Sequence, residues 1–267
     1  MLFSSAGRPQ EAALTAPGWV VGGSPDRPDA DTSDSLDSLE REAGYAPPAY
    51  LDDYYWWAYV HPNAVRFFER QWMANLILWG NYLRLRDDVL AELGPALDGS
   101  LLQVACVYGD LTNRVCARAA ADGGTVDVVD ALPVQLRNLR RKLPADAPIR
   151  LLVRNAADLR LPDASYDQVL VFFLLHEQPR ALREATLAEV VRVVRPGGKV
   201  VIVDYARPRW WHPARWLWYP LISRLEPFAS DLWHHPLAAF LPESVRDQPM
   251  QRTEFFGGLY QKLVFTR

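Results

Sequence analysis

The chain is poor in the residues that build covalent and metal-bound frameworks. It has two cysteines and five histidines in 267 residues. Cys106 and Cys116 have no further cysteine with which to complete a zinc framework, so we expect reduced thiols in a cytoplasmic compartment rather than a disulfide. Long apolar runs are also missing, because none approaches the roughly 20 residues that span a bilayer. The sequence therefore argues against a disulfide-stapled scaffold and against a membrane-spanning protein.

A strong positive charge is absent too. The net charge is −3, and residues 1–45 hold 3 basic and 8 acidic side chains, which leaves +2 for the remainder. So weak a charge does not predict a dedicated nucleic-acid binder. The N-terminus lacks the charged start and apolar core of a secretory signal, so we expect none. Residues 21–44 are rich in Gly, Ser, Pro and Asp and cannot bury enough apolar surface to offset chain entropy, which predicts a disordered acidic tail over 1–45.

Large aromatic side chains crowd the next region, residues 46–98. Pro62 suits the first turn of a helix that we expect to run to about Tyr82. The apolar positions broadly follow helical spacing, at Val65, Phe68, Trp72, Ile77 and Trp79. This pattern predicts a helical cap, which either covers the mouth of a ligand cleft or packs on the domain as core.

Residues 99–206 alternate between strand-like and helix-like patterns. The expected strands are LLQVAC, TVDVVD, IRLLVR, YDQVLVFFLL and KVVIVDY, and the expected helices cover 111–121, 133–143 and 181–194. Near-continuous apolar strands of this kind predict a parallel sheet covered by helices on both faces, with ligands beyond the carboxyl ends of the strands. The final TEFFGGLYQKLVFT predicts a hairpin that turns at Gly257 and Gly258.

Four stretches of this region carry a family resemblance. They are LLQVACVYGD, VDVVDALPVQLRNLRRKL, NAADLRLPDASYDQVLVFFLLHE and RVVRPGGKVVIVDY. In this order they resemble the class I S-adenosylmethionine (SAM)-dependent methyltransferases. The resemblance implies an α/β, Rossmann-like fold with a mainly parallel seven-stranded sheet. It assigns 46–98 to an N-terminal helical cap and 99–267 to a SAM-binding domain that includes an aromatic insertion at 207–240.

The resemblance also implies which residues hold SAM. Asp130, at the end of the second strand, can accept hydrogen bonds from both ribose hydroxyls, although it could instead be a helix N-cap. Asn155 takes the place of an Asp that contacts the adenine amino group, and its side-chain oxygen can accept the same bond. The N–H of Ala156 would face the adenine ring. The remaining predicted cofactor-binding residues are Gln103, Ala105, Tyr108, Gly109 and Ala131.

The first loop departs from the acidic residue and G-x-G-x-G turn of the family. Gln103 stands in place of the acidic residue near the methionine amino group, and Ala105 and Val107 replace glycines, while Tyr108 and Asp110 enter the loop. A carboxylate favours the charged ammonium, so a neutral Gln103 would leave more of the amine nucleophilic. Alternatively, Gln103 keeps a hydrogen bond and SAM binds as usual.

A narrower resemblance runs from about Tyr50 to Trp233. The strings YYWWAYVHPNAVRFFERQW, LILWGNY, LQVACVYGDLT, QLRNLRRKLP and VFFLLHEQP resemble the rhodoquinone-biosynthesis protein family, RquA. This resemblance implies that a ring methoxy group of ubiquinone is replaced by an amino group. It further implies that SAM is the amino donor and that a divalent metal, manganese, assists.

The chemistry suggests roles for several polar residues. His176, just past the fourth strand, is the candidate general acid or base, or else it caps the strand end. Asp110 and Glu177 are candidate metal ligands, and Glu177 could instead orient His176 or face solvent. Further candidates are Tyr59 and Tyr108 for catalysis, Trp56, Trp57 and His61 for substrate binding, and Asp204 and Tyr205 for secondary contacts.

Residues 207–224 combine four Trp with Arg207, Arg209, Arg215 and Arg224, and no acid precedes Glu226. Trp favours the membrane interface and Arg attracts anionic headgroups, so the segment predicts contact with a bilayer surface. The alternative is a cap helix with its Arg side chains in solvent. A ubiquinone substrate resides in the membrane, so we expect a cytoplasmic protein at the inner face of the inner membrane.

Three functions remain open at this point. The leading one is SAM-dependent exchange of a quinone methoxy group for an amino group. The second is a conventional C- or O-methyltransferase that acts on a quinone or a lipophilic phenol. The third is a catalytically silent SAM-fold protein that binds a lipid or a partner. The loop is rewritten as a set while Asp130 is kept, which favours the first.

Overall fold

The computed structural model describes residues 47–51, 70–217 and 228–267. The predicted acidic tail, the predicted helix start at Pro62 and the candidates Trp56, Trp57, Tyr59 and His61 lie outside the described residues. The first longer described segment holds helix α1 (Gln71–Ile77) and helix α2 (Tyr82–Glu92).

The prediction of one helix that runs as far as Tyr82 is wrong, because α1 ends at Ile77 and α2 begins at Tyr82. After α1, the backbone of Trp79 and Gly80 takes φ values of 52° and 77°, which a right-handed helix cannot continue. Asn81 stabilises the turn, since its side-chain amide donates to the carbonyl oxygens of Leu78 at 3.1 Å and Trp79 at 3.0 Å. The chain then starts α2 at Tyr82.

A single sheet forms the centre of the domain. Its strands are β1 (Ser100–Val104), β2 (Thr125–Asp130), β3 (Ile149–Val153), β4 (Tyr166–Phe172), β5 (Val194–Tyr205), β6 (Met250–Phe255) and β7 (Tyr260–Thr266). The order across the sheet is β3-β2-β1-β4-β5-β7-β6. The first five strands are parallel, and β7 is antiparallel to β5 and β6. The predicted seven-stranded, mainly parallel sheet and its closing hairpin are confirmed.

Helices cover the sheet and connect its strands. They are α3 (Leu111–Asp122), α4 (Pro133–Lys142), α5 (Arg180–Val193), α6 (Ala214–Leu217), α7 (Ala229–His234) and α8 (Glu243–Arg246). Pro133 occupies the first turn of α4, where its missing N–H costs nothing. Gly123 ends α3 in the left-handed conformation, with φ of 80°. The predicted helices therefore lie where the sequence periodicity put them, within one residue at each end.

The sheet core explains the continuous apolar strands. Leu102, Val128, Val169 and Val201 are completely buried, because helices cover both faces. Chain order reverses between β1 and β4, which opens a crevice at the carboxyl edge of the sheet. The loops after β1, β2, β3, β4 and β5 all reach this edge, so the candidate site must be sought there.

Candidate functional site

The loop after β1 keeps a glycine-like backbone although its glycines are replaced. Ala105 has a φ of 72°, in the left-handed region. Its N–H donates to the carbonyl oxygen of Val129 at 2.9 Å, so pairing with β2 continues to the start of the loop. This conformation costs a residue with a Cβ about 1–2 kcal/mol. The loop thus follows the course of a glycine-rich turn, which fits a bound SAM.

Gln103 is buried beneath this loop rather than facing the crevice. Its side chain is completely buried, its Nε2 donates to the carbonyl oxygen of Ala105 at 2.9 Å, and its Oε1 accepts from the hydroxyl of Thr112 at 3.0 Å. The amide therefore ties β1, the loop and α3 together. The direct contact expected between Gln103 and the methionine amino group stays a prediction, beside these two bonds within the protein.

Asp110 is enclosed by cations. Its carboxylate accepts from Arg86 at 2.9 Å to each oxygen and from Arg114 at 2.7 Å. Burial opposes its ionisation, but the two guanidinium groups outweigh burial and lower the pKa of Asp110. Two arginines therefore already bind the Asp110 oxygens, and its role as a metal ligand stays a prediction.

Tyr82 anchors the same loop from the N-terminal side. Its hydroxyl accepts from the N–H groups of Asp110 at 2.8 Å and Leu111 at 3.0 Å, which caps the start of α3. It also donates to the Asp110 carboxylate at 3.2 Å. Gly109 has a φ of 89°, and a Cβ there would overlap the Tyr82 ring. The backbone at Gly109 therefore lies close to Tyr82, and the predicted cofactor contact of Gly109 stays a prediction.

Two further side chains hold the loop from α4. Gln135 donates to the Tyr108 hydroxyl at 3.0 Å, and the Lys142 ammonium donates to the carbonyl oxygen of Gly109 at 3.1 Å. Tyr108 is half-buried over the loop, beside the predicted cofactor position. Its roles in cofactor binding and catalysis stay predictions.

Asp130 and Asn155 come together at the ends of β2 and β3. The Asp130 carboxylate accepts from the N–H groups of Cys106 and Leu132, each at 2.8 Å, and burial raises its pKa despite these bonds. The N–H of Arg154 donates to the Asp130 carbonyl oxygen at 3.0 Å, which brings Asn155 beside it. Each carboxylate oxygen keeps a second lone pair, so the pair fits ribose hydroxyls.

The turn after β3 is organised by Asn155. Its side-chain oxygen accepts from the N–H of Ala157 at 3.0 Å, and the N–H of Asp158 donates to its carbonyl oxygen at 2.9 Å. Such an Asx turn fixes the loop without using the amide nitrogen or the second oxygen lone pair. Ala131 and Ala156 are half-buried on the two neighbouring loops. Their cofactor contacts stay predictions, and the geometry is compatible with them.

His176 forms a buried pair with Asp204. It lies in a 3₁₀ turn (Leu175–Glu177) after β4, and its Nδ1 is 2.9 Å from Asp204 Oδ1. Asp204 is completely buried and also accepts the N–H groups of Leu175 at 2.8 Å and Tyr205 at 2.7 Å. Because an ionised carboxylate only accepts, Nδ1 donates the proton of this bond, and in the neutral imidazole Nε2 is then the basic nitrogen.

Glu177 has a secondary place in this arrangement. Its carboxylate is buried and lies 3.8 Å from the His176 Nε2, too far for a hydrogen bond. The sequence allowed Glu177 to orient His176, but the orienting carboxylate is Asp204. Asp204 was expected only as a secondary contact, because no local sequence pattern links the turn after β4 to the end of β5.

Arg183 supports the turn that carries His176. Its fully buried guanidinium donates to the carbonyl oxygens of Leu175 at 2.8 Å and Gln178 at 3.0 Å, and it pairs with Asp231 at 2.8 Å. Burial lowers the pKa of Arg183, opposed by Asp204 and Asp231. Arg183 was not predicted, since a helical arginine usually faces solvent.

An aromatic cluster surrounds the His176–Asp204 pair. The His176 ring meets Tyr205 edge-on at 4.8 Å and Phe173 at 6.0 Å, and Tyr260 contacts both of these at 5.5 and 5.6 Å. Burial raises the pKa of Tyr260, so its hydroxyl stays a donor. Among the described residues that hydroxyl has no hydrogen-bond partner, which makes Tyr260 a candidate that the sequence did not suggest.

The described parts of the chain contain neither a cluster of metal-binding side chains nor a membrane-spanning helix. Residues 47–51, 70–217 and 228–267 contain no group of three or more His, Cys, Asp or Glu side chains that could hold a metal ion. The predicted metal ligands Asp110 and Glu177 thus form no such group there. Within the same residues, no helix is both long and apolar enough to cross a membrane.

Sequence relatives share the central part of the chain. Residues 101–198 match the methyltransferase domain family. Demethylmenaquinone methyltransferase of Bacillus licheniformis is 30% identical over 136 residues, which is 51% of this chain and 57% of that protein. The chain therefore spans little more than half the length of that relative. Ubiquinone/menaquinone biosynthesis C-methyltransferase UbiE of Burkholderia mallei is 28% identical over 184 residues, 68% of this chain and 74% of that protein.

Solved structures share the architecture at low sequence identity. The methyltransferase domain of a bacterial Hen1 protein has a TM-score of 0.52 at 17% identity and covers 68% of this chain and 97% of its own. N-methyltransferase NodS of Bradyrhizobium japonicum has a TM-score of 0.50 at 13% identity, over 69% and 94%. The chain therefore has the fold of the class I SAM-dependent methyltransferases, and its residues 101–198 match the methyltransferase domain family.

Proposed function

We propose that the chain is a SAM-dependent enzyme that modifies a quinone, and that it replaces a ring methoxy group by an amino group taken from SAM. The quinone is supported by the relatives, whose names refer to ubiquinone and menaquinone. The SAM site is supported by Asp130, Asn155 and the glycine-like course of the loop at Ala105. Amino transfer, rather than methyl transfer, is supported by the charges around that loop.

The observation that carries amino transfer is the charge balance beside the loop. Three cations, Arg86, Arg114 and Lys142, contact it, and so do two carboxylates, Asp110 and Asp130. Asp87 pairs with Arg86 from the exposed side. With Gln103 neutral in place of the acidic residue of the family, no further negative charge favours an ammonium at the methionine end of SAM. An amine kept neutral is a nucleophile.

His176 would supply the proton transfers. Its Nε2 is left as an acceptor by the bond of Nδ1 to Asp204, so it can take a proton as the amine adds to the ring carbon. The same nitrogen can return that proton to the departing methoxy oxygen, which leaves as methanol. The Tyr260 hydroxyl, held protonated by burial, is a donor for a quinone carbonyl oxygen as negative charge develops there.

The atoms and electrons of the exchange balance without an outside oxidant. A bond forms from nitrogen to the ring carbon, and the bond from that carbon to methoxy breaks. The α-carbon then loses its proton, and the two electrons of that C–H bond pass to the quinone ring, whose oxygens take up protons to give a hydroquinone. Water adds to the carbon of the resulting C=N bond, and the bond from nitrogen to that carbon breaks, which leaves a 2-oxo acid. The products are an aminohydroquinone, methanol and the 2-oxo acid derived from SAM.

The resemblance also implies a bound manganese ion, for which Asp110 and Glu177 are the predicted ligands. Asp110 is held by Arg86 and Arg114, and no group of three donors occurs among the described residues. A divalent ion bound to the quinone oxygens would act as a Lewis acid. The proton transfers proposed above use His176 and Tyr260 alone. The assay is therefore run both with added manganese and with a chelator.

The test follows the nitrogen. The full chain is incubated with ubiquinone and SAM labelled with nitrogen-15 in its amino group, and the quinone is analysed by mass spectrometry. Loss of methoxy with gain of labelled nitrogen is expected. Gain of a methyl group would instead establish the alternative, a conventional C- or O-methyltransferase of the kind its relatives are named for. No turnover with any quinone or phenol would indicate a silent SAM-fold protein.

A matched pair of variants then tests the role of His176. Both His176→Gln and His235→Gln remove an imidazole, but His235 is exposed and pairs with Asp231 on α7. His176→Gln is expected to lower the labelled product by about 10²–10⁴-fold, the usual contribution of a general base. His235→Gln is expected to keep the activity. Equal activity in the two variants would remove His176 from the proposal.

A further inference from the structure

We propose that the chain docks on an anionic bilayer through a two-part apolar surface at the carboxyl edge of the sheet. The first part, called the N-terminal patch, consists of Trp72, Leu76, Ile77, Trp79 and Leu83. The second, called the tryptophan patch, consists of Trp210, Trp211 and Trp216. Every large apolar side chain that is exposed in the described ranges falls in one of these two patches. Leu76 is 64% exposed and Trp210 is 73% exposed, so most of the surface of each side chain is open to contact with a partner.

The two patches lie on either side of one turn. Arg84, next to Leu83, places its guanidinium 5.4 Å from the Phe255 ring at the end of β6. The next residue, Phe256, contacts the His212 ring at 4.6 Å, beside Trp211. The turn at 256–258 therefore joins the patches, and it sits where β7 starts beside the end of β5. Arg84 and His212, the neighbours of Leu83 and Trp211, therefore lie near the edge of the sheet that carries the candidate site.

The charge around the patches selects the occupant. No Asp or Glu occurs from Arg70 to Leu85 or from Tyr205 to Leu217, whereas these segments hold five arginines. Among the described residues, Arg209 has an acidic partner in Glu254 at 3.4 Å, and Arg207 and Arg84 are exposed. A second copy of the chain would oppose arginine to arginine. Anionic headgroups match the arginines, and Trp side chains favour the headgroup region.

The N-terminal patch is connected to the cofactor loop. Leu83 follows Tyr82, whose hydroxyl caps α3 and bonds Asp110. A bilayer contact at this patch therefore lies one residue from a group that shapes the candidate site. This extends the contact expected from 207–224 alone, because α1 and the start of α2 supply half of the surface. Docking does not depend on the proposed reaction, since it can be measured without turnover.

The test measures binding of the full chain to vesicles of phosphatidylcholine with and without phosphatidylglycerol, by flotation. Binding is expected to require phosphatidylglycerol. The double substitutions Leu76→Ser with Leu83→Ser, and Trp210→Ser with Trp211→Ser, should each weaken binding at least about tenfold, because each removes two apolar groups from the interface. Thermal unfolding of each variant checks the fold, which exposed positions should leave intact.

A charge-matched pair separates docking from general attraction. Arg207→Glu should weaken binding about fivefold or more. Arg195→Glu makes the same charge change at the opposite end of β5, where Arg195 is exposed, and should change binding less than about twofold. Equal effects of the two would overturn the proposal. So would unchanged binding in either apolar double variant, or a dimer in sedimentation velocity that the same substitutions dissociate.

Discussion

Single side chains hold the rewritten loop in a shape that its sequence does not favour. Ala105 stands in a left-handed conformation that glycine adopts freely, and the buried amide of Gln103 bonds the Ala105 carbonyl oxygen. Both positions were identified from the sequence as departures from a family pattern. Their physical roles could not be predicted, because they depend on Thr112 and on backbone atoms that only the folded loop brings within reach.

Ala105→Gly should stabilise the protein by up to about 1 kcal/mol, because it relieves the left-handed strain at the cost of some chain entropy. Ala120→Gly is the control, since Ala120 is exposed in α3 and glycine in a helix costs about 1 kcal/mol. Urea unfolding of the two variants measures both signs. Destabilisation by both substitutions would mean that the strain at Ala105 is not relieved by glycine.

Tyr82→Phe and Tyr260→Phe remove a hydroxyl from two equally buried rings. The Tyr82 hydroxyl caps the N–H groups of Asp110 and Leu111, so its loss should cost about 1–3 kcal/mol. The Tyr260 hydroxyl has no partner among the described residues, so its loss should leave stability unchanged or raised. Unfolding experiments compare the two variants.

The turnover of Tyr260→Phe tests whether the Tyr260 hydroxyl acts in the reaction. If the Tyr260 hydroxyl donates to the quinone, Tyr260→Phe should lower turnover by about 10²-fold or more while stability is kept, as for the loss of an oxyanion donor. Unchanged turnover in a stable Tyr260→Phe protein would leave the hydroxyl without a role in the reaction.

At the level of elements, the predicted strands and helices follow from hydrophobic period and from turn residues. The break between α1 and α2 was missed although Gly80 and Asn81 are residues that commonly end helices, because the helical spacing of the apolar residues leads past them to Tyr82. The clamp from α2 onto the loop was missed for another reason. Tyr82 and Asp110 are distant in sequence and meet only when α2 packs beside α3, and no local pattern encodes that contact.

The 3₁₀ turn after β4 is positioned by the end of β5 through Asp204. Asp204→Asn should lower turnover by about 10²–10⁴-fold, because an amide can donate as well as accept and so no longer fixes the tautomer of His176. A purely structural role would instead lower the fraction of folded enzyme and leave the turnover per folded molecule unchanged.

Across the whole molecule, several carboxylates are tuned toward their charged form. Hydrogen bonds and charges of neighbouring groups lower the pKa of Glu92, Asp110, Asp167 and Glu189. Their folded pKa values lie below the unfolded ones, so the stability they contribute is present above about pH 4 and is lost as the pH falls through the folded values. The temperature of thermal unfolding should therefore fall steeply as the pH is lowered below about 4.

Glu92→Gln provides the check on this acid dependence. Glu92 pairs with Lys199 and Lys262, and so joins α2 to β5 and β7. The variant should be less stable at neutral pH, and the difference from the native chain should shrink as the pH falls, because protonation removes the same charge. A constant difference across the pH range would show that the ion pairs are not the source of the acid dependence.

The docking surface and the candidate site share one edge of the sheet, which gives a prediction about the substrate. A quinone with a long isoprenoid tail stays in the bilayer, whereas a short-chain quinone is soluble. Trp210→Ser with Trp211→Ser should lower turnover of the long-chain quinone in anionic vesicles by at least about tenfold, because the enzyme no longer seats on the membrane that holds it. Turnover of a short-chain quinone without vesicles should stay near that of the native chain. Equal losses on both quinones would mean that these side chains act on the chemistry, and equal retention would mean that docking does not deliver the substrate.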